Sequence, residues 1–114
     1  MSKKVLITGG NKGIGLAVSR AMLEFGYEII IVARDFDTCP LVGVANVTCI
    51  EYDLSNVDGL ATLAKEIGDI DILINNAGTI RRAPLLEYKD EDWKAVLDIN
   101  LNAVYFLSQE VAKI

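Results

Sequence analysis

Residues 8–15 read Thr-Gly-Gly-Asn-Lys-Gly-Ile-Gly and separate two stretches with different apolar periods. The chain enters them through Val5-Leu6-Ile7-Thr8, a short apolar run typical of a strand buried on both faces. After them, apolar residues recur at the spacing of one helical stripe until Gly26 ends the pattern. The members of this stripe are Ile14, Ala17, Val18, Ala21, Met22 and Phe25. The pattern predicts a strand, a tight glycine turn and an amphipathic helix.

The same alternation continues to the end of the chain. Further strands are predicted at 29–32, 47–52 and 70–74, an irregular crossover at 35–46, a helix at 57–67 and a long helix from about Asp90 onward. Strands that alternate with helices predict parallel pairing, right-handed crossovers and helices on both faces of the sheet. We therefore predict an α/β fold with a Rossmann-type doubly wound parallel sheet, in which residues 1–114 form a single domain.

The composition predicts a globular protein and narrows its chemistry. Hydrophobic residues make up 52% of the 114 residues, the net charge is -5, and histidine is absent. This disfavours a nucleic-acid partner and removes the commonest general base and metal ligand. Cys39 and Cys49 are too few for a disulfide framework or a zinc site. No stretch reaches the roughly 18 apolar residues that span a bilayer. We expect a cytoplasmic protein without a metal or a membrane partner.

The glycine turn is a candidate phosphate site. Glycines allow a tight turn and a close approach of a pyrophosphate, and the N-terminus of the following helix offers unpaired N–H groups. The same composition would also suit a strand–helix connection that binds no ligand. The common dinucleotide spacing G-x-G-x-x-G does not fit, because Val18 occupies the third glycine position counted from Gly13.

The spacing that does fit is T-G-x-x-x-G-x-G, and it resembles the pattern of the short-chain dehydrogenase/reductase family. Three further motifs resemble the same family in the same order. They are Asp53-Leu54 after the third strand, Asn75-Asn76-Ala77-Gly78 after the fourth strand, and Asp98-Ile99-Asn100-Leu101 in the long helix. Because the four motifs cover nearly the whole chain, it is identified as a member of this family, specifically its nucleotide-binding half.

The resemblance implies roles for the first two motifs in binding a nicotinamide dinucleotide. The residues that would line the adenosine ribose and the pyrophosphate are Thr8, Gly9, Asn11, Lys12, Gly13, Ile14 and Gly15. Asp53, with Leu54 beside it, would contact the adenine, with the Asp53 carboxylate accepting a hydrogen bond from the amino group. Alternatively, Asp53 caps the end of its strand.

The resemblance also assigns the third and fourth motifs. Asn75, Ala77 and Gly78 would contact the ribose beside the nicotinamide, or would hold the fourth strand against the first. Asn100 would support catalysis, since its backbone carbonyl would help to hold a water molecule in the proton relay.

Two basic residues indicate which cofactor is used. An enzyme for NAD usually carries an acid about 20 residues after the glycine turn, whereas an arginine there suits the 2′-phosphate of NADP. Here the second strand ends in Ala33-Arg34, and Lys12 lies in the glycine turn. We therefore predict NADP as the cofactor, with NAD the less favoured choice. The alternatives are that both charges are ordinary surface residues, or that Asp35 serves the ribose.

The catalytic pair of the family is not found in this sequence. By resemblance it is a tyrosine with a lysine four positions later, aided by a serine from a following strand. The residues four positions after Tyr27, Tyr52, Tyr88 and Tyr105 are Ile31, Asn56, Asp92 and Gln109. We therefore expect an NADP-dependent oxidoreductase represented by its cofactor-binding half, and no turnover by the 114 residues alone. The alternative is an inactive nucleotide-binding or interaction module.

The substrate and the assembly state have weaker signals. The resemblance implies a small-molecule carbonyl or alcohol substrate, with the sugar-acid dehydrogenases and the 3-oxoacyl carrier-protein reductases equally close. Arg81 and Arg82 could attract a carboxylate, or could be solvated loop charges.

The apolar residues from Trp93 to Val111 cover more than one helical stripe. This width predicts a homo-oligomer formed through the 90–114 helix. Alternatively, the additional apolar surface would pack against a further segment of a longer chain.

Overall fold

The computed structural model describes residues 3–78 and 89–113. The strands are β1 (Lys4–Thr8), β2 (Glu28–Ala33), β3 (Val47–Glu51) and β4 (Ile72–Asn75). The helices are α1 (Gly13–Glu24), α2 (Leu60–Ile67), α3 (Asp90–Leu97) and α4 (Ala103–Ala112), with a 3-10 turn at Val57–Gly59 before α2. All four strands pair in parallel in the order β3-β2-β1-β4. The predicted α/β class and Rossmann-type sheet are confirmed.

The sheet buries apolar side chains on both of its faces. Successive residues of a strand point to opposite faces, so Leu6 packs against one layer while its neighbours Val5 and Ile7 pack against the other. The first layer contains the buried residues of α2 and α4, and the second contains residues of α1 and of the crossover between β2 and β3. The side chains of Val5, Leu6 and Ile7 in β1 are fully buried, at 0% exposure. Helices on both faces therefore enclose the central strand.

The predicted apolar stripe of α1 is only partly correct. Val18 and Met22 pack against the core, but Ile14 and Phe25 are 79% and 78% exposed, and the two alanines of the stripe are exposed as well. The residues that α1 buries completely against the sheet are Gly15 and Ser19. The Ser19 hydroxyl lies 2.9 Å from the Gly15 carbonyl oxygen and 3.2 Å from that of Gly10. Small residues let the helix approach the glycine turn closely, and this rotates its buried face away from the predicted stripe.

The predicted long helix is interrupted. Between α3 and α4, residues Asp98–Asn102 form one π-helical segment, here called the π turn. Within the described part of the chain, no helix is both long and apolar enough to cross a membrane. Arg81 and Arg82, which the sequence suggested as anion-attracting residues, lie outside the described residues.

Candidate functional site

A cleft of about 230 Å³ opens at the carboxyl ends of the strands. It lies where the strand order reverses, because β2 and β4 flank β1 on opposite sides. In open α/β sheets, ligands bind at this reversal point. The residues that line the cleft are Gly9, Asn11, Lys12, Val32, Ala33, Arg34, Asp35, Tyr52, Leu54, Asn76, Ala77, Gly78 and Ile99. The glycine turn and the segment after β4 therefore border the same cavity.

The glycine turn has the backbone geometry of an anion site. Gly9 and Gly13 adopt positive φ angles of 67° and 58°, a region that side chains strongly disfavour. A Cβ atom added to Gly15 would collide with the carbonyl oxygen of Gly9, so the helix start and the turn are packed backbone to backbone. The N-cap residue of α1, Lys12, makes no side-chain hydrogen bond to the helix, and the first turn of α1 contains no acidic residue. The positive end of α1 is thus left without a capping side chain.

Thr8 joins the glycine turn to the segment after β4. Its hydroxyl oxygen accepts hydrogen bonds from the backbone N–H groups of Asn76 at 3.0 Å and Ala77 at 3.1 Å. The Asn76 side chain donates in turn to the Gly9 carbonyl oxygen at 3.1 Å. Thr8 itself is 2% exposed. It therefore shapes the cleft from beneath, while Ala77 and Gly78 form the wall.

The two asparagines after β4 have different environments. Asn76 lines the cleft, although the sequence did not single it out. Asn75, which was predicted to contact the ribose, donates from its side chain to the Ser108 hydroxyl on α4 at 3.2 Å and is not among the lining residues. Because a strand alternates its faces, the register of β4 determines which asparagine meets the glycine turn. The motif alone did not reveal that register.

The basic end of the cleft combines the glycine turn with the end of β2. Lys12 and Arg34 are both exposed lining residues, and Asp35 lines the cleft beside them. The buried Asn11 side chain donates to the backbone carbonyl oxygen of Asp35 at 2.9 Å. The Asp35 carboxylate accepts a long hydrogen bond of 3.4 Å from the backbone N–H of Asp37. The two cations that the sequence selected are thus brought to the same cavity.

Asp53 closes a local turn. Its Oδ1 atom accepts hydrogen bonds from the Ser55 backbone N–H at 2.9 Å and from the Ser55 hydroxyl at 2.8 Å. These bonds, with a smaller contribution from the Arg34 charge, lower the pKa of Asp53 against a weaker opposing effect of burial. Leu54 and Tyr52 line the cleft, whereas Asp53 is not among the lining residues. The geometry thus supports the capping alternative for Oδ1.

The π turn carries Asn100 to the segment after β4. A Cβ atom built on Gly78 would lie 3.3 Å from the Asn100 side-chain oxygen, so a glycine gives this asparagine room. Ile99 of the same turn is buried and lines the cleft. Short π-helical segments inside helices occur frequently at functional sites. The sequence predicted Asn100 but gave no sign of the π turn.

The remaining predicted residues surround the cleft without lining it. Gly13, Ile14 and Gly15 form the first residues of α1, beside the lining residue Lys12. Among the described residues, no group of three or more histidine, cysteine, aspartate or glutamate side chains is arranged to hold a metal ion. The arrangement can accept an elongated anionic ligand, with backbone N–H groups at one wall and two cations at one end.

Comparisons with known proteins agree with this geometry. The gluconate 5-dehydrogenase of Gluconobacter oxydans is 35% identical, over 96% of this chain and 47% of its own length. A solved 4-hydroxyisoleucine dehydrogenase complexed with NADH is 34% identical with a TM-score of 0.88, covering 98% of this chain and 49% of that one. A gluconate 5-dehydrogenase from Burkholderia cenocepacia, in complex with NADP and tartrate, is 31% identical with a TM-score of 0.82, covering 99% and 49%.

The chain spans about half the length of the relatives it matches. The family model described as short chain dehydrogenase matches residues 3–114. With the predicted motifs, the parallel sheet and the cleft in place, the chain belongs to the short-chain dehydrogenase family of oxidoreductases.

Proposed function

We propose that this chain is the cofactor-binding part of an NADP-dependent oxidoreductase that interconverts a carbonyl and an alcohol. The observation that carries the proposal is the cleft between the glycine turn and the segment after β4, with Lys12 and Arg34 at one end. The cleft fits a dinucleotide, because positive-φ glycines and an uncapped helix start leave backbone N–H groups for a pyrophosphate. The cofactor would supply hydride transfer, and the chain's residues would bind and orient it.

The preference for NADP rests on the charges at the end of β2. Ala33 stands where an acid would grip a ribose 2′-hydroxyl, and Arg34 follows it in the cleft. Two cations beside one dianionic phosphate favour charge-assisted hydrogen bonds. Asp35 is the residue that would favour NAD instead, but its carboxylate accepts from the Asp37 N–H and so is directed partly toward its own turn. The solved relatives described above include one complex with NADP and one with NADH.

Asn100 is proposed as a supporting residue of catalysis. Its place in the π turn beside Gly78 puts it at the wall where the nicotinamide ribose would lie. Asp53 is proposed to contact the adenine through the carboxylate oxygen that does not close the Ser55 turn. Thr8, Asn75 and Asn76 would hold the wall in position.

For the substrate we propose a small carbonyl or alcohol compound, with a sugar acid as the first candidate. Two of the relatives described above are gluconate 5-dehydrogenases. A 3-oxoacyl thioester is the second candidate. The alternative of an inactive nucleotide-binding module finds no support among these relatives, which are all named as dehydrogenases.

We also propose that the protein assembles as a homo-oligomer through residues 90–114. Trp93, Leu101 and Tyr105 are 58%, 60% and 60% exposed along this helical unit. Exposed apolar patches of this kind mark surfaces that associate with other chains.

The cofactor proposal is tested by the double substitution Lys12→Ala with Arg34→Ala. Each charge-assisted hydrogen bond is worth roughly 1.5–3 kcal/mol, so we expect NADPH to bind at least about tenfold more weakly. NADH, which lacks the 2′-phosphate, should change much less. Isothermal calorimetry with both dinucleotides measures the two affinities.

A matched control removes the same charge elsewhere. Arg20→Ala with Lys65→Ala changes two exposed cations of α1 and α2 that do not line the cleft. This variant should retain the NADPH affinity of the unaltered protein, apart from a small long-range effect that added salt suppresses. Equal loss of both dinucleotides in the Lys12 and Arg34 variant would show that the 2′-phosphate assignment is wrong.

A further inference from the structure

The side chain of Asn11 connects two loops that are distant in sequence. Asn11 belongs to the glycine turn and is 6% exposed. Its amide nitrogen donates to the backbone carbonyl oxygen of Asp35, 24 residues further along, at 2.9 Å. Asp35 begins the crossover that leaves β2. A buried hydrogen bond between two loops restricts the movement of one loop against the other.

This bond joins the two residues that are the chain neighbours of the two cations of the cleft. Lys12 follows Asn11 in the chain, and Arg34 precedes Asp35. Both cations are exposed and have long side chains, which lose considerable rotational freedom when they close on a ligand. If the backbone beneath them could also move, its ordering would add to that cost. The Asn11 bond removes this second cost in advance.

We propose that Asn11 is a positioning residue that sets the preference of the cleft for a 2′-phosphate over a 2′-hydroxyl. It does so by holding the backbones of Lys12 and Arg34 at a fixed separation. This proposal rests on the proposed NADP-dependent function and assigns its specificity to a residue that carries no charge.

The effect of Asn11 should be selective because the glycine turn has other anchors. The Gly9 N–H donates to the Val32 carbonyl oxygen at 2.8 Å, and the Ser19 hydroxyl lies within hydrogen-bond distance of two carbonyl oxygens of the turn. Without the Asn11 side chain, the turn therefore keeps its contacts with β2 and α1. What is lost is the tie between the glycine turn and the crossover, which begins beside Arg34.

The test compares two small ligands that contain only the adenosine half of the cofactor. Adenosine 2′,5′-bisphosphate carries the 2′-phosphate, and 5′-AMP lacks it. In Asn11→Ala, we expect the ratio of the two affinities to fall about fivefold to tenfold, the worth of one hydrogen bond. Because Asn11 itself lines the cleft, 5′-AMP can also bind more weakly in this variant, so the ratio of the two affinities is the quantity that tests the proposal. Calorimetry gives the affinities, and circular dichroism checks the fold.

Two further variants separate positioning from stability. Asn11→Ser keeps a polar group in the buried site, but the serine side chain is too short to reach Asp35. We therefore expect Asn11→Ser to lose the same selectivity, and it serves as the test if Asn11→Ala does not fold. Ser19→Ala removes a buried hydrogen bond from the same turn without touching the crossover. That variant should leave the affinity ratio unchanged, even where it lowers the melting temperature.

The outcomes distinguish a failure of this proposal from a failure of the NADP proposal on which it rests. If the unaltered protein binds both ligands equally or not at all, the NADP assignment fails and this proposal fails with it. If the unaltered protein prefers the bisphosphate and the Asn11 variants retain that preference, only the positioning role of Asn11 is overturned. A proportional loss of both ligands in the Asn11 variants would likewise show a purely structural role.

Discussion

Gly13 and Gly26 lie near opposite ends of α1 in similar backbone conformations. Their φ angles are 58° and 88°, and a Cβ atom at either position would meet no other atom within 4 Å. A side chain at either glycine would therefore cost backbone strain of about 1–3 kcal/mol without a collision inside the protein. The two residues differ in one respect, since only Gly13 adjoins the cleft. Gly26 is therefore a matched control for a substitution at Gly13.

We expect Gly13→Val and Gly26→Val to lower the free energy of unfolding by similar amounts. Only Gly13→Val should abolish nucleotide binding, because its branched side chain would stand where the pyrophosphate approaches the helix start. Urea unfolding and calorimetry with NADPH measure the two effects. Retained affinity in a folded Gly13→Val protein would rule out the phosphate role of the turn.

The Asp53 carboxylate provides a pH-dependent test of its turn. Its pKa is lowered chiefly by the Ser55 hydrogen bonds, so the carboxylate adds stability that is present above the ordinary carboxyl pKa of 3.8. That stability is lost as the pH falls through the lower pKa of the folded state. Ser55→Ala removes the hydroxyl donor and should raise the Asp53 pKa toward its ordinary value, as a carboxyl NMR titration would detect.

The stability of the two proteins should follow the same titration. The advantage of the unaltered protein over Ser55→Ala is expected to be greatest near neutral pH and to shrink in acid. Thr48→Ala, an exposed change on β3, serves as the control and should show a difference that does not depend on pH. An unchanged Asp53 pKa in Ser55→Ala would contradict the assigned hydrogen bonds.

At the scale of elements, the strands were easier to predict than the helix faces. A buried parallel strand needs only a short run of branched apolar residues, and 29–32 provides one that lies wholly within β2. The buried face of α1 depends instead on how closely the helix approaches the turn, and this is determined by Gly15 and Ser19. An apolar stripe does not report such a close approach. The π turn was not predicted, because its residues suit an ordinary α-helix equally well.

The helical unit of α3, the π turn and α4 gives a prediction about assembly. Leu101 and Tyr105 are both 60% exposed and lie four residues apart. We expect Leu101→Glu to shift the protein to a smaller species in sedimentation velocity, because a charge would be placed in an apolar contact. Phe25→Glu changes another exposed apolar residue, the C-cap of α1, and should leave the assembly unaffected. A monomeric unaltered protein at all concentrations would disprove the interface.

At the scale of the whole molecule, the sequence predicted which segments meet but not which atoms. The glycine turn and the segment after β4 do meet at one cleft, as the family resemblance implied. Asn76 rather than Asn75 lines the cleft, and Tyr52, which was not predicted, lines it as well. These details depend on strand register and on the paths of loops, which are set by packing across the sheet. Residue patterns along the chain carry little information about either.

The central position of β1 also bears on how the protein folds. Thr8 at the end of β1 contacts Ala77 across 69 residues of chain, whereas the Asn11 contact with Asp35 spans 24. Pairing across the longer loop costs more chain entropy and slows folding. The β1–β2 half can therefore form while the wall after β4 is still unformed. Since a dinucleotide needs both walls, its binding would draw the folding equilibrium toward molecules in which β4 has already paired.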